Sequence, residues 1–273
     1  MDHELIGPEG IPTLVWRGAG DGPHPAIVSL HGGGGHKGDI PLDVVERVTA
    51  CGVTVVTIDA YLHGERAAPN DDGRATPSPI TRLQLLDIIG RTADDVREVV
   101  ALLREDEAID GERIGLRGGS MGGYIALAAV GLGVPVRAVL SICGGADYVE
   151  AWQWAYRDQP EKRQEIMAAM DWIADMARRF DPIHHVARFP PRPILFIHGE
   201  RDPVVPVHCT RRLYDALVPR YADQPGDCLF LSHAGDHATP QSMEEFGWDW
   251  LIGQLIGGPR RPHMARPQSR GGL

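Results

Sequence analysis

Gly118-Gly119-Ser120-Met121-Gly122 is a G-x-S-x-G segment between a strand-like run, residues 113–117, and a helix-like run, residues 124–130. A serine on a tight strand-to-helix turn needs nearly side-chain-free neighbours two positions before and after it, and glycine meets this need at both positions. Such a turn raises the serine hydroxyl above a sheet and directs the backbone N–H of Met121 toward the same point. The pattern alone is also compatible with a glycine-rich turn that carries an idle serine.

On both sides of this turn, strand-like and helix-like runs alternate. Short apolar or β-branched runs predict further strands at 11–17, 26–30, 53–59, 136–143, 193–198 and 228–231. Apolar residues at helical spacing predict helices at 41–50, 81–107, 207–221 and about 240–256. This alternation predicts an α/β fold with a mostly parallel, doubly wound sheet and helices on both faces.

Residues 147–185 interrupt the alternation and predict a helical insertion near the site. A stripe of apolar residues at helical spacing fits either a cap over the site or an ordinary core-packing helix. Trp152 and Trp154 favour the cap and are candidate substrate-binding side chains. We expect one domain over 1–258, an exposed loop over 67–79, and a disordered tail over 259–273 that is rich in glycine, proline and arginine.

Four consecutive glycines follow the predicted strand 26–30, in His31-Gly32-Gly33-Gly34-Gly35-His36-Lys37-Gly38. A phosphate-binding P-loop would need serine or threonine directly after the lysine, and Gly38 stands there instead. The loop fits an oxyanion loop better, because its backbone N–H groups can approach a developing negative charge closely. It would supply the second donor that a serine nucleophile needs.

Ser120, Asp202 and His237 each follow the carboxyl end of a predicted strand, which is where parallel sheets carry their sites. Their chain order, Ser…Asp…His, is that of α/β-hydrolases. Serine is a poor nucleophile at neutral pH and needs a base. We predict that His237 takes its proton and that Asp202 orients the imidazole and stabilises its protonated form.

Other residues are rivals for these two roles. His233 is the main alternative base, and His198 and His208 flank the predicted acid. Asp147 is the alternative acid, while Asp236 fits a loop residue better.

The loop after strand 53–59 adds residues beside the site. We interpret Asp59 and His63 as site-wall or loop-stabilising residues, and His63 is also a candidate for contacting substrate.

Composition limits the function classes. A net charge of −10 without a basic stripe argues against nucleic-acid binding. The four cysteines lack C-x-x-C spacing, so we expect no metal site of that kind and no cofactor. Cys51 and Cys143 lie in apolar runs typical of small core residues. With neither a signal-peptide pattern nor a membrane-length apolar run, we expect a cytoplasmic protein without membrane contact; a homodimer stays open.

Three segments give a family resemblance: His31-Gly32-Gly33-Gly34-Gly35-His36-Lys37, Asp59-Ala60-Tyr61-Leu62-His63-Gly64, and the stretch from His198 to Pro206. Over about residues 12–256 the sequence resembles the α/β-hydrolase superfamily, and most of all its dienelactone-hydrolase and prolyl-oligopeptidase-related serine esterases. The resemblance implies an α/β-hydrolase fold and an oxyanion hole made of the Gly33 and Met121 N–H groups. It also implies hydrolysis of carboxylic esters. Ser120 departs from the cysteine nucleophile of the dienelactone hydrolases, and the oligopeptidases' N-terminal propeller is not found.

Three functions therefore stand at this point. The first is a serine esterase acting on small to medium ester substrates through an acyl-enzyme. The second is an aminopeptidase on the same triad, with Glu65 or Asp147 anchoring the free amine. The third is a hydrolase-like protein that binds a small ligand without turnover, although such a protein has no need of an intact triad.

Overall fold

The computed structural model describes residues 10–67 and 82–257, and its centre is a seven-stranded sheet. The strands are β1 (Thr13–Trp16), β2 (His24–Leu30), β3 (Thr54–Ile58), β4 (Ile109–Gly119), β5 (Ala138–Ile142), β6 (Ile194–Gly199) and β7 (Cys228–His233). They lie in the order β1-β3-β2-β4-β5-β6-β7. Only β1 pairs antiparallel, with β3 at the edge, and the other described pairs are parallel.

Helices connect the strands and cover both faces of the sheet. They are α1 (Leu42–Ala50), α2 (Arg82–Glu105), α3 (Met121–Gly131), α4 (Tyr148–Ala155), α5 (Arg163–Phe180), α6 (Val207–Leu217) and α7 (Gln241–Ile256). The predicted mostly parallel, doubly wound α/β fold is thereby confirmed. The predicted loop beyond residue 67 and the predicted tail over 259–273 lie outside the described residues, and the single domain over 1–258 stays a prediction.

Each face of the sheet has its own apolar core. On one face, α1 and α7 bury side chains such as Val48, Trp248 and Leu251 against the strands. On the other face lie α2, α3, α5 and α6, and every residue of α3 is buried. Because α3 begins directly after Ser120, its burial fixes the position of the turn that carries this serine. Cys51, expected in the core, is instead exposed just after α1, where that helix ends and the chain turns into β3.

The sheet order reverses beside β2. The chain leaves β2 toward β3 on one side and later returns to β4 on the other side. The loops after β2 and β4 therefore diverge at the carboxyl ends of two adjacent strands. Such a switch point is where doubly wound sheets form their binding crevices.

The insertion over 147–185 contains α4 and α5, and the second half of α5 packs into the main core. Ile173, Ala177 and Phe180 are buried there, and a Cβ on Gly90 of α2 would lie 2.7 Å from the Phe180 ring. The core-packing interpretation of the apolar stripe thus holds for this half of the helix. A cap role for the insertion stays a prediction.

Asp181 joins the two ends of the insertion. Its buried carboxylate accepts hydrogen bonds from the backbone N–H groups of Asp147 (2.9 Å), Tyr148 (2.5 Å) and Ile183 (3.2 Å). The first two donors lie at the start of α4, where N–H groups lack acceptors within the helix. One side chain therefore ties the start of α4 to the end of α5.

We expect Asp181→Ala to lower the free energy of unfolding by about 3 kcal/mol, because it leaves buried N–H groups without an acceptor. Urea denaturation measures this loss. Asp175→Ala is the matched control on α5, since Asp175 is exposed and pairs with the exposed Arg178. Equal stability of the two variants would contradict the role assigned to Asp181.

Within 10–67 and 82–257, no helix combines the length and the apolar character that crossing a bilayer requires.

Candidate active site

Ser120 lies in a strained turn between β4 and α3. Its backbone has φ 52° and ψ −118°, a conformation that L-residues rarely adopt. The turn is possible because glycines flank it: a Cβ on Gly118 would overlap the carbonyl group of Gly122, and a Cβ on Gly122 would overlap the carbonyl group of Leu30. The second contact places the Ser120 turn directly against the end of β2.

His237 and Asp202 reach Ser120 from the loops after β7 and β6. His237 Nε2 lies 2.9 Å from Ser120 Oγ, and His237 Nδ1 lies 2.7 Å from Asp202 Oδ2. A carboxylate can only accept, so Nδ1 carries the proton and Nε2 is free to accept the serine O–H. The structure thus brings the three predicted residues into one chain of hydrogen bonds.

Asp202 is held as a buried carboxylate. Its Oδ1 accepts backbone N–H groups from Val204 (2.8 Å) and Val205 (2.9 Å), while His198 Nε2 lies 3.4 Å from Oδ2. Burial alone would raise the pKa of Asp202, but the hydrogen bonds from His198, His237 and these N–H groups outweigh it and lower the pKa below its ordinary value. The group therefore stays ionised beside the imidazole.

The loops that carry Asp202 and His237 contact each other directly. The Glu200 N–H donates to the carbonyl of His233 at 2.8 Å. Gly199 ends β6 at a point where a Cβ would overlap the carbonyl group of Asp236. Because only glycine allows this approach, the loop that carries His237 lies directly on the loop that carries Asp202.

The two predicted oxyanion donors, the N–H groups of Met121 and Gly33, belong to two elements that meet near Ser120. Met121 is the first residue of α3, so its N–H belongs to the first turn, which has no intrahelical acceptor. Gly33 follows Gly32, whose Cα would carry a Cβ 3.8 Å from Ser120 Cβ. The loop after β2 therefore lies next to the turn that carries Ser120, as the oxyanion-loop prediction requires.

His31 fixes the orientation of the Gly32–Gly33 peptide. The Ala60 N–H donates to His31 Nε2 at 3.0 Å, so the ring proton is on Nδ1, which donates to the Gly32 carbonyl at 2.8 Å. Burial lowers the pKa of His31 and keeps it neutral. Because a trans peptide points its C=O and N–H in opposite directions, holding the Gly32 oxygen aims the Gly33 N–H the other way.

We expect His31→Ala to lower kcat by about 10- to 100-fold with little change in KM, because the predicted oxyanion donor, the Gly33 N–H, would be misaligned but not removed. Steady-state kinetics on an activated aryl ester separates the effect on kcat from the effect on KM. His31→Asn keeps a donor close to the Nδ1 position and should recover part of the loss. His24→Ala is the matched control, since His24 bonds the Gly52 carbonyl (3.1 Å) at the other end of the sheet. A change confined to KM would contradict the positioning role.

A buried ion pair anchors the far side of the same loop. Asp59 accepts hydrogen bonds from the Lys37 N–H (2.7 Å), the Lys37 ammonium (2.8 Å) and the Glu65 N–H (3.0 Å). The Lys37 ammonium also pairs with the Glu65 carboxylate. Burial disfavours both charges, but the mutual bonds outweigh it, lowering the pKa of Asp59 and raising that of Lys37. The predicted loop-stabilising character of Asp59 agrees with these contacts.

The rival residues form other contacts. His233 Nδ1 accepts its bond from the Gly235 N–H at 3.2 Å. Asp147 pairs with Arg212 at 2.5 Å, and His208 lies 3.3 Å from Glu150. The geometry therefore favours His237 and Asp202 for the predicted roles.

The three candidate substrate-binding residues differ in accessibility. His63 (1% exposed) packs against the His31 ring, and Trp152 (3% exposed) lies in the main core. Trp154 is half-buried beside His208 and Arg157. Contact with substrate stays a prediction for all three, and Trp154 is the most accessible of them.

The site also contains residues whose roles were missed in the sequence. His198 appeared there only as a rival base, and its spacing of four from Asp202 was the available signal for a partner of the acid. No local pattern indicated that His31 would hold the Gly32 carbonyl, because the Ala60 N–H that fixes its tautomer comes from another loop.

Comparison with known proteins places these residues in a familiar context. A sequence profile described as the prolyl oligopeptidase family matches residues 87–245, more than half of the chain and inclusive of Ser120, Asp202 and His237. YitV of Bacillus subtilis (strain 168), named as a candidate esterase, is 28% identical over 238 residues, 83% of this chain and 88% of YitV. Esterase YjfP of Escherichia coli (strain K12) is 23% identical over 228 residues, with the same coverage. The crystal structure of acetyl xylan esterase 1 from Thermoanaerobacterium sp. JW/SL YS485 has the same fold, with a TM-score of 0.66 and 19% identity over 89% of this chain and 79% of that one.

Proposed function

The chain belongs to the prolyl oligopeptidase family of α/β-hydrolases, and from this premise we propose that it hydrolyses carboxylic esters of small to medium size through an acyl-enzyme on Ser120. The observation that carries the proposal is the hydrogen-bonded chain Ser120–His237–Asp202, with heavy-atom distances of 2.9 and 2.7 Å. These distances already lie within the range for proton transfer. The esterase names of YitV and YjfP support the choice of ester over amide substrates.

The reaction begins when Ser120 Oγ attacks the ester carbonyl carbon. His237 Nε2 takes the hydroxyl proton, and the carboxylate of Asp202 stabilises the imidazolium that forms. The carbonyl oxygen becomes an oxyanion, which the N–H groups of Gly33 and Met121 stabilise. None of these steps draws on a metal or a cofactor.

Collapse of this tetrahedral intermediate releases the alcohol. His237 gives its proton to the departing alkoxide oxygen, leaving an acyl ester on Ser120. Water then attacks the acyl carbon while His237 again acts as base, and the acid product leaves.

The aminopeptidase alternative is disfavoured by the charges around its two proposed anchors. A free substrate amine needs an uncommitted carboxylate. Glu65 already pairs with Lys37, and Asp147 already pairs with Arg212. A substrate ammonium would have to displace a cation at either position.

The test compares p-nitrophenyl acetate, butyrate and octanoate with alanine and leucine p-nitroanilides, all on the native protein. We expect turnover of the esters and, at equal concentration, none of the anilides. The preferred ester chain length then gives the depth of the acyl pocket. Higher kcat/KM on the anilides would support the aminopeptidase, and binding of esters without turnover would support a ligand-binding protein.

A further inference from the structure

Cys143 is a buried thiol beside the triad, and the proposed mechanism does not use it. It follows β5 with φ 46°, and its N–H donates to the Ile197 carbonyl at 2.7 Å. Its Sγ lies 3.5 Å from Thr239 Oγ1. One ligand atom each from Cys143, Asp202 and His237 lie within 4.8 Å of one another. A thiol, a carboxylate and an imidazole thus lie close together beside Ser120.

This set of atoms matches the ligand preference of zinc. Zn²⁺ binds sulfur at about 2.3 Å and nitrogen or carboxylate oxygen at about 2.0–2.2 Å, usually in a tetrahedron. Those bond lengths correspond to ligand separations of roughly 3.3–3.6 Å. Atoms that lie within 4.8 Å of one another would therefore have to approach by at most about 1.5 Å, and the Asp202–His237 contact would have to open from 2.7 Å by less than about 1 Å.

His237 is the ligand whose side chain has room to make the required movement. The His237 side chain is 28% exposed, whereas those of Cys143 and Asp202 are buried. A small swing of the imidazole opens the space between its Nδ1 and the carboxylate. Thiolate and carboxylate supply two negative charges, which together balance the charge of a divalent cation.

We propose that Cys143, Asp202 and His237 form an inhibitory site for a soft divalent cation, of which Zn²⁺ is the representative. Binding breaks the thiol S–H bond, whose proton passes to solvent, and moves the single imidazole proton from Nδ1 to Nε2 by exchange with solvent, so the ring stays neutral. Bonds form from the metal to Sγ, to Nδ1 and to a carboxylate oxygen, without oxidation or reduction. Metal binding at this site inhibits turnover, and the proposed hydrolysis does not use the metal.

Inhibition follows from the tautomer of the base. With the metal on Nδ1, the single ring proton is on Nε2, the nitrogen that faces Ser120. An Nε2–H donates and cannot take the hydroxyl proton. The metal also removes the Asp202 carboxylate from the imidazole, so the base loses both its orientation and its stabilising charge.

The first experiment titrates ZnCl₂ into p-nitrophenyl butyrate hydrolysis by native protein, Cys143→Ser and Cys51→Ser. We expect native protein and Cys51→Ser, which changes an exposed cysteine, to be inhibited equally and to recover with EDTA. Cys143→Ser should raise the half-inhibiting zinc concentration by about tenfold or more, since it replaces a soft ligand by a weak one. MgCl₂ should not inhibit.

The second experiment does not depend on activity. Ser120→Ala keeps all three ligands, and added CoCl₂ should give a sulfur-to-cobalt charge-transfer band that is absent in Ser120→Ala/Cys143→Ser. This band supports the site even if no tested ester is hydrolysed. Equal zinc sensitivity of native protein and Cys143→Ser, or a band that survives loss of Cys143, would overturn the proposal.

Discussion

Replacing Ser120 with alanine is expected to lower kcat on p-nitrophenyl butyrate by about 10⁵- to 10⁶-fold, the size of effect that loss of a serine nucleophile produces. The reason is that Ser120 Oγ is the attacking atom in the proposed mechanism, and it lies 2.9 Å from His237 Nε2, the proposed base. The backbone N–H groups of Gly33 and Met121 stay in place in the variant. Rate above that of buffer alone should therefore persist at a low level.

Ser232→Ala is the matched control for this variant. Ser232 is an exposed serine on β7 that bonds Glu200 at 2.8 Å, and its loss should leave kcat unchanged. Circular dichroism of both variants should match that of the native protein, because neither change touches the core. A Ser120→Ala protein with a tenth of the native rate would mean that another group is the nucleophile.

Asp202→Asn is expected to lower kcat by about 10⁴-fold, because an amide can bond the imidazole in the wrong tautomer. The Asn side chain would donate its N–H to Nδ1 and leave the ring proton on Nε2, facing Ser120. Asp147→Asn, at the rival acid, is the matched control and should keep more than half of the native rate. Comparable losses in the two variants would contradict the assignment of Asp202 as the acid.

The same variant should change how stability depends on pH. The pKa of Asp202 is lower in the folded protein than the value of about 3.9 for an unstructured aspartate, so the folded state binds fewer protons. Its stabilisation is full above about pH 4 and is lost as the pH falls through the folded-state pKa. We therefore expect the free energy of unfolding to fall less steeply below pH 4 for Asp202→Asn than for the native protein. Urea denaturation across this range measures the difference.

The fold could be predicted from sequence because its signals are local. Strand and helix periodicities recur at each step of the chain, and Gly118 and Gly122 mark a turn in which any side chain would overlap the backbone. The chain order of Ser120, Asp202 and His237 added a topological constraint, since parallel strands bring their carboxyl ends to one edge.

What could not be predicted depends on contacts between distant segments. His31 acquires its role from the Ala60 N–H, 29 positions away. Cys143 approaches the triad because β5 and β6 run side by side, as in the pairing of Ile142 with Ile197. Spacing along the sequence predicts neither the His31–Ala60 hydrogen bond nor the position of Cys143. The apolar stripe on α5 could not be interpreted from sequence either, because a core-packing helix and a cap helix show the same spacing of apolar residues.

The contact of Gly122 with the Leu30 carbonyl has a consequence for engineering. It joins the turn that carries Ser120 to the end of β2, the strand that leads into the predicted oxyanion loop, through main-chain atoms on both sides. The contact is made by main-chain atoms. Random substitution of the surrounding side chains therefore cannot change the distance between the Ser120 turn and the end of β2. We expect directed evolution toward new substrates to accumulate changes in α4 and around Trp154, while libraries at Gly122 return inactive or insoluble clones.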